Sequence, residues 1–147
     1  GVGVGIGTLS ARANLDVEGH TRLKTYSENV GTLSVAANVA TIDLSSAQTF
    51  NHTLTDNINS FKVINVPAGS SSFVIKFTQD GTGSRGVGID TFVDASSTSV
   101  PVYWPAGVVP IMSSGINQSD IYSFKILNGA TLSSDGLFGV VTGQNFS

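Results

Sequence analysis

Apolar and polar positions alternate along most of this chain. From Phe73 it reads FVIKFTQDGTGSR, where Phe73, Ile75 and Phe77 recur at period two with Val74 and Lys76 between them. Gln79-Asp80 then breaks into Gly81-Thr82-Gly83-Ser84. This pattern predicts a strand with one buried face that ends in an Asp-Gly hairpin turn, with GVGIDTFV as the returning arm. The same alternation marks LSVAANVATIDLSS, QTFNHTLTD (Phe50, His52 and Leu54 on one face), INSFKVINV (Phe61, Val63 and Asn65), VVPIM, DIYSFKIL and GLFGVVTG as strands. Between them lie the turn residues Asp56-Asn57 and Pro67-Ala68-Gly69 and polar loops at 94–99, 113–119 and 128–135. In VPVYWPAG, Pro101 and Pro105 restrict the segment to a sheet edge or a loop. No stretch carries helical apolar spacing with a cap, so helix is expected to be nearly absent. Around eight or nine short strands joined by turns predict an all-β fold, an antiparallel β-sandwich of the jelly-roll kind. Its expected core is Ile42, Leu44, Phe50, Leu54, Phe61, Val63, Phe73, Ile75, Phe77, Ile89, Tyr122, Phe124, Ile126, Phe138 and Val140.

Residues 1–31 have a different character. In GVGVGIGT, Val2, Val4 and Ile6 alternate with glycine, and Leu15, Val17 and Leu23 follow around a Glu18-Gly19 turn. Strands with glycine at every second position bury little, yet they allow backbones to approach closely. A short Gly-rich intertwined β neck over 1–31, preceding a sandwich domain over 32–147, is therefore expected. Val2, Val4, Ile6, Leu15, Val17 and Leu23 are its expected oligomer interface. Because the chain opens at Gly1 inside this pattern, it is expected to be a C-terminal piece of a longer polypeptide.

Composition narrows the function classes. Charged residues make up 12% of the 147, against about a quarter in an average domain, and the net charge is −3. The Lys and Arg residues are scattered, which argues against a partner that is read through its phosphates. There is no cysteine, so no disulfide or thiolate chemistry is available. Apolar runs such as 108–112 fall far short of the roughly 20 residues that cross a bilayer, and no membrane insertion is expected.

The glycine string is not a phosphate loop, because no strand precedes it, no helix follows it and no Lys-Ser/Thr pair closes it. His20 and His52 have no partner at metal-ligand spacing, and His52 is a candidate for an inter-subunit face. Asp80, Asp90 and Asp94 lie close together in sequence but lack the alternating ligands and closing Glu of a calcium loop; they read as turn residues. Tyr103 and Trp104, between the two prolines, are the best candidates for stacking on a sugar ring, with core packing preferred for the Trp. No catalytic residue, cofactor or metal site is predicted.

FTQDGTGSR, then VYWPAGVVPIMSSGINQSDIYSFKI and the closing GVVTGQNF, resemble a domain of bacteriophage tail-fibre and related virion structural proteins. GVGIGT followed by ARANLDVEGHTRLK is similar to the shaft repeats of such fibres, including cyanophage ones. In the family a Thr-Val-Thr-Trp stretch follows the Gly-Ser-Arg. Here GVGIDTFV follows Arg85, and the Trp comes at position 104. The resemblance implies a structural virion protein, a homotrimeric β-rich segment of a tail or head fibre that contacts other virion proteins and a host-surface glycan. It also leaves open a capsid or sheath decoration protein. It brings no catalytic residue to this chain.

Overall fold

Period-two alternation organises the backbone of the computed structural model, which describes residues 3–147. The strands are β1 (Val4–Ile6), β2 (Leu15–Val17), β3 (Val30–Gly31), β4 (Ser34–Ala36), β5 (Val39–Asp43), β6 (Thr49–Leu54) and β7 (Ser60–Ile64). They continue with β8 (Ser71–Gln79), β9 (Phe92–Val93), β10 (Ser99–Val100), β11 (Val102–Tyr103), β12 (Ser119–Ile126) and β13 (Leu137–Phe146). The one α-helix among the described residues, α1 (Leu132–Asp135), is a single turn. The protein is all-β in character.

β1 and β2 pair only with each other, while the remaining strands form a six-stranded sheet, β11-β13-β12-β8-β6-β3, and a five-stranded sheet, β10-β9-β7-β5-β4. The core lies between these two sheets. Phe61 of β7 meets Phe77 of β8 with ring centroids 5.9 Å apart, and Phe92 of β9 meets Phe124 of β12 at 5.2 Å. Each large side chain so taken from water contributes about 1.5–3 kcal/mol to stability.

The strand directions correct the expected antiparallel arrangement. From β5 to β9 the chain changes sheet at every step, so each strand lies beside the next but one and runs parallel to it: β5 with β7, β7 with β9, and β6 with β8. A parallel pair normally needs a long crossover. Here the strand in the opposite sheet serves as that crossover, which is why short turns suffice. Antiparallel pairing is confined to β4/β5, β9/β10 and the two neighbours of β12.

The hairpin expected after Phe73 is not formed. β8 pairs with β6 and β12, whereas GVGIDTFV crosses over and delivers β9 to the other sheet. Gly81–Ser84 does form a turn, but a tight turn is equally able to change sheets. Asp80 accepts the N–H groups of Thr82 and Gly83 at 2.9 Å, and the Arg85 guanidinium at 2.9 Å, while the buried Gln79 side chain donates to the carbonyls of Arg85 and Ser113 and accepts the Arg85 N–H, each at 2.9 Å. These bonds lift the chain out of one sheet and aim it at the other.

Phe138 and Val140, expected in the core, are 41% and 46% exposed. The inner positions of β13 are Leu137 and Gly139, because the Trp104 ring occupies the space above Gly139; a Cβ there would stand 2.7 Å from the indole. The other expected core residues are buried, joined by Leu33, Ala40, Ala47, Ile58, Phe92, Val100, Trp104, Leu132 and Leu137.

β4 and β5 are joined by Ala37 and Asn38, with φ of 50° and 63°. A left-handed Ala costs about 1 kcal/mol that Gly does not incur. Ala37→Gly is therefore expected to raise stability by roughly 0.5–1 kcal/mol, visible as a higher urea midpoint at unchanged slope. An unchanged or lower midpoint would count against a strained turn.

Candidate functional site

The first candidate is the ribbon of β1 and β2. They run parallel with Val4 opposite Leu15, Gly5 opposite Asp16 and Ile6 opposite Val17. Paired residues share a face, so Val4, Ile6, Leu15 and Val17 project together on one side and Gly5 and Asp16 on the other. The side of Gly5 and Asp16 is closed by the connecting segment 7–14. A Cβ on Gly5 would lie 3.0 Å from the Thr8 carbonyl, and one on Gly3 would lie 2.2 Å from that of Ala13, so glycine is what lets the loop fold down. Arg12 fastens it. Its guanidinium donates to Asp16 at 2.7 and 2.9 Å and to Glu18 at 2.9 Å, and its backbone N–H adds a bond to Asp16 at 2.8 Å. The Arg12 side chain is the main reason the Asp16 carboxyl is held down at about 2.

Among the described residues nothing covers the opposite side. Val4, Ile6 and Leu15 are 60%, 56% and 61% exposed, and Val17 is partly so. Of the other expected interface residues, Leu23 is exposed in the irregular segment that follows β2, and Val2 lies outside the described residues. Two short strands are not a stable unit in water, and this pair turns its aliphatic side chains outward.

The second candidate surrounds Tyr103. Neighbours on a strand point to opposite faces, and this separates the two residues expected to bind a glycan together. Trp104 is buried, edge-on to Tyr122 and Phe124 at 6.2 and 5.7 Å, and packs in the core instead of facing a ligand. Tyr103 stays on the outer surface beside Phe138, with ring centroids 5.2 Å apart. With Leu127, Ser134 and Asp135 these rings line an open concavity of about 390 Å³.

The polar candidates are dispersed. His20 is exposed, and His52 is half-buried on the inner face of β6, edge-on to Phe77 at 6.5 Å, where burial lowers its pKa. Asp94 accepts the N–H groups of Ser96 and Thr98 at 2.9 Å, and Asp90 contacts the Thr91 hydroxyl at 3.3 Å, so both act within their own turns. Among the described residues no group of three or more His, Asp or Glu side chains converges.

One polar cluster went unremarked in the sequence. Asp120 is 1% exposed and accepts from the backbone N–H groups of Ser113 at 2.7 Å and Asn145 at 2.9 Å, the Tyr122 hydroxyl at 3.1 Å and the Gln144 amide at 3.2 Å. It ties the segment before β12 and the end of β13 to the sheet. The available signal was its phase, since it falls on the same face as Tyr122, Phe124 and Ile126.

Compared with protein-family models, characterised proteins and solved structures, the chain matches none. The ribbon face and the Tyr103–Phe138 face both carry uncovered apolar side chains, which suits them to contact.

Proposed function

We propose that this chain is a structural virion protein, a segment of a homotrimeric bacteriophage fibre, with residues 1–31 as its neck and residues 32–147 as a β-sandwich knob. The observation that carries this reading is the ribbon of β1 and β2, closed on one side by its own loop and open on the other along Val4, Ile6, Leu15 and Val17. Three such ribbons around an axis place their aliphatic faces together, and each side chain so buried contributes about 1.5–3 kcal/mol. Supporting it, surface polarity comes from Ser, Thr, Asn and Gly more than from charge, so association does not have to overcome strong like-charge repulsion.

Native mass measurement and light scattering on the full chain test the proposal. Three copies are expected, and the double variant Ile6→Lys/Leu15→Lys is expected to run as a monomer with its far-ultraviolet β signal largely kept. A wild-type chain that stays a folded monomer at all concentrations removes the trimer, and with it the fibre.

A further inference from the structure

A cavity of about 230 Å³ opens at the end of the sandwich where β7 and β9 stop. Because these strands run parallel, the segments that leave them, 65–66 and 94–96, emerge side by side. Segment 129–133, which joins β12 to β13, closes the cavity from the other sheet. It is docked by the Gly129 N–H on the Gly69 carbonyl at 3.1 Å and the Ala130 N–H on the Ala68 carbonyl at 3.3 Å, and a Cβ on Gly129 would overlap the Pro67 carbonyl. The walls are apolar, with Val63 and Leu132 buried and Val66 half-buried, and the rim carries Asn65, Asp94 and Ser133. Both acceptors on the rim are held by bonds that leave one oxygen over. Asp94 Oδ1 accepts the N–H groups of Ser96 and Thr98 at 2.9 Å, and its Oδ2 takes no bond among the described residues. Asn65, with φ of 54°, donates its amide to Asp43 Oδ1 at 2.8 Å and to Ser45 Oγ at 3.4 Å, which leaves its own Oδ1 over. No Lys, Arg or His lines the cavity. Lys62, next to Val63 in the chain, donates instead to the Ser97 hydroxyl at 3.3 Å.

We infer that this cavity binds a primary ammonium group on an aliphatic stem, as carried by a lysine side chain or a free alkylamine. Two acceptors fixed in advance, one of them a carboxylate, select a ligand that donates, and an ammonium offers three N–H donors and no acceptor. The apolar walls select a stem without polar groups, the way a lysine lays its methylenes on apolar surface. Charge points the same way. With no cation on the lining, the Asp94 charge is left for the ligand to meet, and an anion would be repelled. Size sets the upper limit, since the volume lies below the roughly 300–1,000 Å³ of sites that take drug-sized ligands. One side chain, or a molecule of that size, is what fits. The inference is independent of the trimer proposed above, because every lining residue lies outside residues 1–31.

The test titrates the isotope-labelled full chain with n-butylamine and with lysine blocked as its Nα-acetyl N-methylamide, and follows the amide signals by NMR. The N–H signals of Ser96, Thr98 and Ala130 are expected to shift and to saturate at millimolar concentration or below. n-Butanol, the same stem without the charge, is expected to leave them in place. Tighter binding of the blocked lysine assigns the group to a protein side chain, and tighter binding of n-butylamine assigns it to a free amine. Two variants keep the turns intact. Asp94→Asn retains an oxygen for Ser96 and Thr98 and removes the charge, while Asn65→Gly suits the left-handed φ and removes the second acceptor. Each is expected to weaken binding at least tenfold with the rest of the spectrum unchanged. No saturable shift with either amine, or undiminished binding by both variants, overturns the inference. Saturable shifts at these amides with calcium chloride or galactose but not with the amines would assign the cavity to a metal ion or a sugar, and overturn it as well.

Discussion

Trp104→Ala is expected to lower the unfolding free energy by about 3–5 kcal/mol, the range for removing a large aromatic side chain from a core. For a chain of this length that is a fall of roughly 10 °C or more in Tm. The ring is 7% exposed, stands edge-on to Tyr122 and Phe124, and fills the place that Gly139 leaves on the inner side of β13. No small movement closes the hole, because Gly139 has no side chain to shift into it. Trp104→Phe is expected to cost much less than the difference in volume implies. The indole Nε1 is buried without a hydrogen-bond partner, and an unmet buried donor costs about 1–3 kcal/mol, which phenylalanine does not incur. Urea unfolding of the three proteins checks both values. A Trp104→Ala protein that unfolds at the same urea concentration as the wild type would take Trp104 out of the core.

How far the fold could be read from the sequence depended on whether the information was local. Phe73, Ile75 and Phe77 have polar or aliphatic neighbours of the opposite phase, so period two identified their buried face. The same rule was sufficient to place Gln79 and Asp120 inside, as polar residues in phase with the core, and thereby to locate the bonds that set the direction of the chain at 79–85 and at its C-terminal end. It failed in LFGVV, where apolar residues occupy both phases and the deciding fact is a Trp far away in sequence that needs the Gly139 position. Strand pairing was also out of reach. Asp-Gly-Thr-Gly shows that the chain turns, but which sheet receives β9 is decided by Phe92 packing on Phe61 and Phe124. In residues 1–31, alternation marked Val4, Ile6, Leu15 and Val17 as one apolar set, and β1 and β2 bring them to one face. The Tyr103–Phe138 face is not legible locally either, because it depends on the phase of β13, and LFGVV carries apolar residues at both phases.

Asp120→Asn is expected to destabilise by about 2–4 kcal/mol, although it changes one atom. The carboxylate accepts from donors on both oxygens: Ser113 N–H, Tyr122 hydroxyl and Gln144 amide on Oδ2, and Asn145 N–H on Oδ1. An asparagine has only one acceptor oxygen, so in either orientation its NH₂ faces a backbone N–H. One charge-assisted bond, worth about 1.5–3 kcal/mol, is then lost and a buried donor is stranded. The pH dependence separates this from a packing defect. Burial pushes the Asp120 pKa up, but the backbone N–H groups of Ser113 and Asn145, with Gln144, outweigh it and hold the group below its ordinary value. A carboxyl depressed on folding stabilises fully above its unfolded pKa, near 3.9, and that contribution is lost as pH falls through the folded value. Wild-type stability should therefore decline below about pH 4, and the decline should be shallower in Asp120→Asn, so that the gap between the two proteins narrows in acid. Parallel curves from pH 7 down to pH 2.5 would mean that the carboxylate's charge contributes nothing to holding the end of β13, and that its hydrogen bonds act only through shape.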